Sequence, residues 1–199
     1  MAAGISKAEQ SERTRRALRD AALELFAEHG YAKTSTEEVV RRAAVTSGAL
    51  YYHFHDKVGL FAAVYEEQSV ASVQAVTKRV QVADGDLWQR VVVTACQAFV
   101  ERAADPRARR ILYVDGPVVL GRTAMLQTGP GLELARQAFA VLASEGLLEP
   151  LPLDPLVHLL WAMFFEAGRH LAHADDSPRA QEEILTMLLR VLDGLRPRP

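Results

Sequence analysis

The feature that most constrains this chain is a pair of very short helical segments set almost end to end. Ser35 to Ala43 and Thr46 to Phe54 each carry helix-start chemistry, and only Ala44-Val45 separates them. Ser35 with Glu38 three residues on has the spacing of a capping box, in which each side chain satisfies a backbone N–H left open at the helix start. Thr46 is placed to cap the second segment. Helices this short are marginal alone in water. Both must lean on longer neighbours, with Val39, Val40 and Ala43 as the inward face of the first and Val45, Leu50 and Phe54 that of the second.

Longer neighbours are at hand. From about Ser11 to His29, Leu18, Ala21, Ala22, Leu25 and Phe26 recur at the helical period as one apolar stripe, and Gly30 stands where such a helix ends on a left-handed residue. Residues 1–10 read as a loose arm. A long fourth helix opens at Asp56 and runs to about Val82, with Leu60, Phe61, Val64 and Tyr65 as its first stripe, and Ala83-Asp84-Gly85-Asp86 punctuates it. Beyond that, helices are expected over about Leu87–Ala104, Pro106–Val114, Leu132–Glu145, Leu156–Ala174 (the eighth) and Pro178–Leu195 (the ninth, with Ser177 as cap). The stretch Gly116 to Gly131 holds four of the twelve glycines and two prolines, and reads as loop with one helical turn at most. The expected fold class is all-α. An N-terminal three-helix helix-turn-helix domain, residues 1–57, joins through the fourth helix to a helical domain, residues 58–199.

Composition narrows the classes. The chain has 199 residues, 49% hydrophobic and 24% charged, which suits a folded globular protein. Cys96 is the single cysteine, so neither an intramolecular disulfide nor a multi-cysteine zinc site can form. No signal-like apolar core opens the sequence, and no run approaches the roughly 20 apolar residues a bilayer requires. A cytoplasmic location is expected, with no membrane partner. Net charge is −2, and residues 1–57 carry nine Lys/Arg against eight Asp/Glu, while 58–199 carry fourteen against seventeen. That tilt is too slight to identify a nucleic-acid binder by itself.

The outer face of the second short helix is more telling. With Leu50 and Phe54 turned inward, Thr46, Ser47, Gly48, Ala49, Tyr51, Tyr52 and His53 are left to face out. Small residues allow close approach to a major groove, while hydroxyls and aromatic tips reach phosphates and base edges. Lys57 adds a charge for the backbone, and the open N–H groups of the second and fourth helices can bind phosphate. The competing reading, a Tyr-Tyr-His-Phe run buried as core, is weakened by the flanking pattern. Lys7, Arg13, Arg15, Arg16 and Arg19 can reach the DNA backbone or a minor groove, or serve only as a solvated helix start.

Three stretches in their order and spacing resemble the TetR family of one-component bacterial regulators. They are Ala21-Ala22-Leu23-Glu24-Leu25-Phe26-Ala27-Glu28-His29-Gly30-Tyr31, then Thr34-Ser35, then Gly48-Ala49-Leu50-Tyr51-Tyr52-His53-Phe54-His55-Asp56-Lys57. The resemblance implies a DNA-facing set of Ser35, Thr36, Thr46, Ser47, Gly48, Tyr51, Tyr52 and His53, with Lys57 on the phosphates. Two positions depart from the pattern: Ala44 stands in the turn where the family commonly has Gly, and Ser47 where many members carry Lys.

The resemblance further implies a homodimeric repressor on a palindromic operator, released by a small-molecule effector, with the dimer made by the last two helices. The residues lend support. Ile184, Leu188, Val191 and Leu195 recur in steps of four and three, and Leu185 and Leu192 widen the stripe beyond what one intramolecular partner needs. Leu156, Leu159, Leu160, Met163, Phe164, Ala167 and Leu171 do the same on the eighth helix. Both helices simply closing the core is the alternative. Candidate walls for a largely apolar effector pocket are Trp88, Cys96, Phe99, Tyr113, Met125, Phe139, Trp161 and Phe165, each of which also suits ordinary core. Arg109, Arg110, His158, Glu166 and Arg169 are possible polar anchors. His170 and His173 with Glu166 have the spacing of a metal pair, but no metal and no cofactor is expected. Neither a phosphate-binding Gly-rich loop nor a Gly-x-Ser-x-Gly elbow occurs, so an enzyme is not expected. The alternative function is a helical small-molecule-binding protein or enzyme whose helix-turn-helix makes only protein contacts.

Overall fold

The computed structural model describes residues 6–127, 129–174 and 177–197, without the side chains of residues 123–125 and 177. All regular elements among the described residues are helices. Packing divides the chain into two units between Glu67 and Gln68.

The first unit begins with α1 (Lys7–His29). It starts earlier than its apolar stripe suggests, because Ser6 and Glu9 form a complete capping box. The Ser6 N–H donates to the Glu9 carboxylate (2.7 Å) and the Glu9 N–H to Ser6 Oγ (3.2 Å). Residues 7–10, expected as loose arm, are therefore helical. Leu18, Ala21, Ala22, Leu25 and Phe26 are all buried, as the periodicity predicts. At Gly30 the backbone takes φ 83°, ψ 161°, a region essentially closed to residues with a Cβ, and so different from the left-handed helical cap expected there.

Two short helices follow. The buried Thr34 hydroxyl donates to the carbonyls of Leu25 (3.2 Å) and Gly30 (3.0 Å), fastening the chain as it leaves α1. α2 (Thr36–Ala43) is capped by Ser35, whose hydroxyl accepts the Glu38 N–H at 3.1 Å. Glu38 itself pairs loosely with Arg41 at 4.0 Å. Ala44 takes the left-handed conformation (φ 53°, ψ 44°) that the turn demands. α3 (Ser47–Phe54) is capped by Thr46, which accepts the Ala49 N–H at 3.3 Å. Each cap satisfies an otherwise open donor and is worth about 1 kcal/mol.

α4 (Lys57–Val82) runs through both units. Its start is built by a tight reversal. His55 sits at φ 67°, ψ −47°, and the Asp56 N–H donates to the Phe54 carbonyl at 2.8 Å, a γ-turn of the rarer, strained hand. Asp56 then caps α4 by accepting the Gly59 N–H at 2.7 Å. Leu60, Phe61 and Val64 are fully buried. Phe26, Tyr31 and Phe61 form an aromatic trio with centroids 5.2–5.7 Å apart, the two Phe61 pairs edge-to-face. Arg19 closes the unit on Glu67 at 2.6 Å.

In the second unit, a π-helical stretch, π1 (Gln89–Thr94), winds straight into α5 (Ala95–Ala104). α6 (Pro106–Ala108), π2 (Arg109–Asp115), π3 (Pro117–Gly121) and α7 (Arg122–Gln127) follow. The Gly- and Pro-rich stretch expected as loop is thus largely helical. A proline within a helix lacks a donor and crowds the carbonyl four residues back, here that of Tyr113, and the wider π winding beside Pro117 relieves both. α8 (Pro130–Ser144), α9 (Leu153–His173) and α10 (Ser177–Asp193) complete the fold. Arg102 of α5 donates to Ser72 (3.1 Å) and Gln68 (2.9 Å) of α4, and Arg79 of α4 pairs with Glu101.

Candidate nucleic-acid interface

Burial sorts the α3 side chains. Leu50 and Phe54 are buried, while Thr46, Ser47 and Gly48 are exposed and His53 is half-buried. Tyr51 is 53% and Tyr52 78% exposed, so the two rings are not core. Ser35 is exposed and Thr36 half-buried at the start of α2. Tyr52 and His53 stand edge-to-face with centroids 5.0 Å apart, which limits how either ring can turn. A row of hydroxyls, one glycine and two aromatic tips therefore projects from a helix whose opposite face is locked by Leu50 and Phe54.

Lys57 takes a place that spacing does not reveal. Its ammonium lies over the Tyr31 ring, 4.1 Å from the centroid. Tyr31 is held in turn by Phe26 and Phe61, and burial, followed by the nearby Asp56 carboxylate, pushes its phenol above the ordinary range. Along α1, Lys7, Arg13, Arg15 and Arg16 are exposed. Arg15 approaches the Phe54 ring at 5.8 Å, and Arg19 is committed to Glu67.

Among the expected effector walls, Phe99, Tyr113 and Trp161 pack against the core cluster that holds Trp88, Cys96 and Phe139. Phe99, Tyr113 and Phe165 stand ring by ring, with Phe99–Tyr113 at 6.5 Å and Tyr113–Phe165 at 6.2 Å. Phe164, which the sequence reading placed on the dimer face, joins them edge-to-face with Phe99 at 5.0 Å. Tyr113 lies so close on Gly168 of α9 that a Cβ there would overlap its ring, and Trp161 rests on Gly131 in the same way. Trp88, Cys96 and Phe139 are buried in the main core, and Trp88 also takes the Arg196 guanidinium 4.9 Å from its ring. Burial pushes the Cys96 thiol up to about 12, which makes it inert. The Met125 side chain lies outside the described residues.

The polar anchors are mostly engaged elsewhere. Glu166 is exposed and bridges Arg122 and Arg169 at 3.2 Å each. His158 is exposed on its own helix, 2.9 Å from the Asp154 carbonyl. Arg110 faces the half-buried Asp115 at 3.6 Å. His173 Nδ1 lies 2.8 Å from the Arg169 carbonyl, and among the described residues no three His, Cys, Asp or Glu side chains gather around one point. Nor is any described helix long and apolar enough to cross a membrane.

The α10 stripe splits. Leu188 and Leu192 are buried against the core, with Leu185 and Leu195 packed beside them, whereas Met187 and Val191 are 59% and 42% exposed. On α9, Leu159 is 71% exposed, while Leu160, Ala167 and Leu171 are buried.

Two family models divide the sequence much as packing divides the structure. Residues 18–64 match the model described as "Bacterial regulatory proteins, tetR family", and residues 88–195 that of the "Tetracyclin repressor-like, C-terminal domain". The chain belongs to the TetR family. This TetR-family chain is 41% identical over 58 residues to the HTH-type transcriptional regulator AcrR of Shigella flexneri, covering 29% of this chain and 27% of that one. It is 38% identical over 65 residues to the A-factor receptor protein of Streptomyces griseus, covering 33% and 24%. The matched stretch thus spans about a quarter of the length of these curated relatives. A solved TetR-family transcriptional regulator from Pectobacterium atrosepticum matches along the whole fold, with TM-score 0.82 and 29% identity over 98% of this chain and 99% of that one.

Proposed function

We propose that this protein is a homodimeric, effector-responsive transcriptional repressor that binds duplex DNA at a palindromic operator and acts in the cytoplasm. The observation that carries the reading is the outward face of α3, where Tyr51 and Tyr52 project beside Thr46, Ser47 and Gly48 from a helix anchored by Leu50 and Phe54. A solvated surface has no use for two bare aromatic rings, whereas a groove-reading surface does. Ser35, Thr36, His53 and Lys57 complete the proposed interface, and residues 1–57 are its domain. The turns of α4 around Leu60, Phe61 and Val64 serve as structural support.

Residues 58–199 are proposed to bind the effector and form the dimer. Exposed Leu159 on α9 and Met187 and Val191 on α10 support a second copy docking there, since these helices correspond to the expected eighth and ninth. A two-fold dimer would set its recognition helices about one DNA turn apart, roughly 34–36 Å. The ring cluster of Phe99, Tyr113, Phe164 and Phe165 suits a largely apolar effector. In this reading effector binding moves α4 and spoils the operator spacing.

The test is selection of bound sequences from a random duplex pool, followed by anisotropy titration on the winner. A palindromic consensus is expected, with binding lost in Tyr51→Ala plus Lys57→Ala at unchanged melting temperature. Weak binding, indifferent to sequence and to both substitutions, would sink the proposal. Met187→Glu should yield monomers by sedimentation.

A further inference from the structure

We propose that Tyr31 is a positioning residue for DNA: its ring holds the Lys57 ammonium in place, so that the lysine meets the phosphate backbone already ordered. The inference rests on the DNA-binding reading and assigns a task to a residue outside both short helices.

The geometry carries it. A free lysine side chain has four rotatable carbons and loses much rotamer freedom when it settles on a phosphate. Here the ammonium already sits 4.1 Å from the Tyr31 ring centre. The ring cannot easily move away, because Phe61 meets it edge-to-face at 5.2 Å and Phe26 packs at 5.7 Å. Lys57 is the first residue of α4, and the Asp56 carboxylate next to it uses one oxygen to cap the Gly59 N–H. An ammonium has three N–H donors and can meet a ring face and a phosphate oxygen at the same time. Lys57 remains half-exposed. The aromatic trio thus acts through the lysine and needs no contact with DNA of its own.

The measurement is the salt dependence of binding to a labelled duplex of arbitrary sequence, since phosphate contacts operate there without an operator. Lys57→Ala should lower the slope of log K against log salt by about one for each module on the DNA. Its deficit against the native protein should then shrink about threefold for one module, and about tenfold for a dimer with both modules on the DNA, between roughly 50 and 200 mM salt. Tyr31→Leu should reproduce most of that loss, Tyr31→Phe should restore it, and Tyr31→Leu should add almost nothing to Lys57→Ala. A full additive loss in the double variant overturns the proposal, as does tighter binding by Tyr31→Leu, which would mean the ring sequesters the lysine. Because Tyr31→Leu also removes a core ring, the Lys57 ε-methylene proton shifts of the DNA-free native protein supply a second reading. A ring-current upfield shift is expected, and ordinary shifts overturn the idea. Native protein that shows the slope but selects no sequence would defeat the regulator reading while leaving Tyr31 and Lys57 to be judged by the cycle. Native protein that binds no duplex at low salt defeats both.

Discussion

A Cβ on Gly59 would overlap the carbonyl oxygen of Phe54, the same oxygen that accepts the Asp56 N–H in the turn between α3 and α4. The last carbonyl of α3 and the first turn of α4 are therefore in direct backbone contact. A tilt of α3 against the start of α4 would have to break this contact.

Gly59→Ala is accordingly expected to destabilise the N-terminal unit by about 2–3 kcal/mol, because the clash is with backbone and not with a flexible side chain. Urea unfolding followed by circular dichroism reads this directly. An unchanged midpoint would show that the junction is looser than its geometry.

Ala44 offers the opposite sign. Its left-handed conformation costs a residue with a Cβ about 1–2 kcal/mol, and glycine returns roughly 0.5–1 kcal/mol of that as extra chain entropy lost on folding. Ala44→Gly should raise stability by about 0.5 kcal/mol. The denaturation midpoint should move up with the slope unaltered, and a downward shift would refute the argument.

Gly168 is the seat of the Tyr113 ring, flanked by Phe99 and Phe165. Gly168→Ala should displace that ring at about 1–3 kcal/mol of stability, with a clear change in the near-ultraviolet dichroism of the aromatic cluster. Retention of both would mean that the ring has room to slide.

Cys96 provides a pH test. Its thiol is raised from 9.0 to about 12 by burial, so the folded state holds this proton more tightly than the unfolded chain. The contribution is complete below pH 9 and fades as pH climbs from there toward 12, by at most about 1.4 kcal/mol per unit. A thiol reagent at pH 8 should leave native protein unlabelled and react fully once urea is added. Rapid labelling of the native form would contradict it.

Local rules written into consecutive residues were readable without coordinates: the α1 stripe from Leu18 to Phe26, the Ser35 and Thr46 caps, and the outward face of α3. These depend on periodicity and on side chains reaching backbone within a few positions, so the order of residues is enough. The Ser6–Glu9 box was equally local and legible, but the apolar stripe that marks α1 begins only at Leu18. Contacts between distant residues belong to the folded state alone. Lys57 on Tyr31, Tyr113 on Gly168, and the split of the α10 stripe between Leu188 and Val191 are set by how the elements lie against one another. The helical winding past Pro117, where composition spells loop, was decided there too, because packing outweighs the weak backbone preferences of single residues.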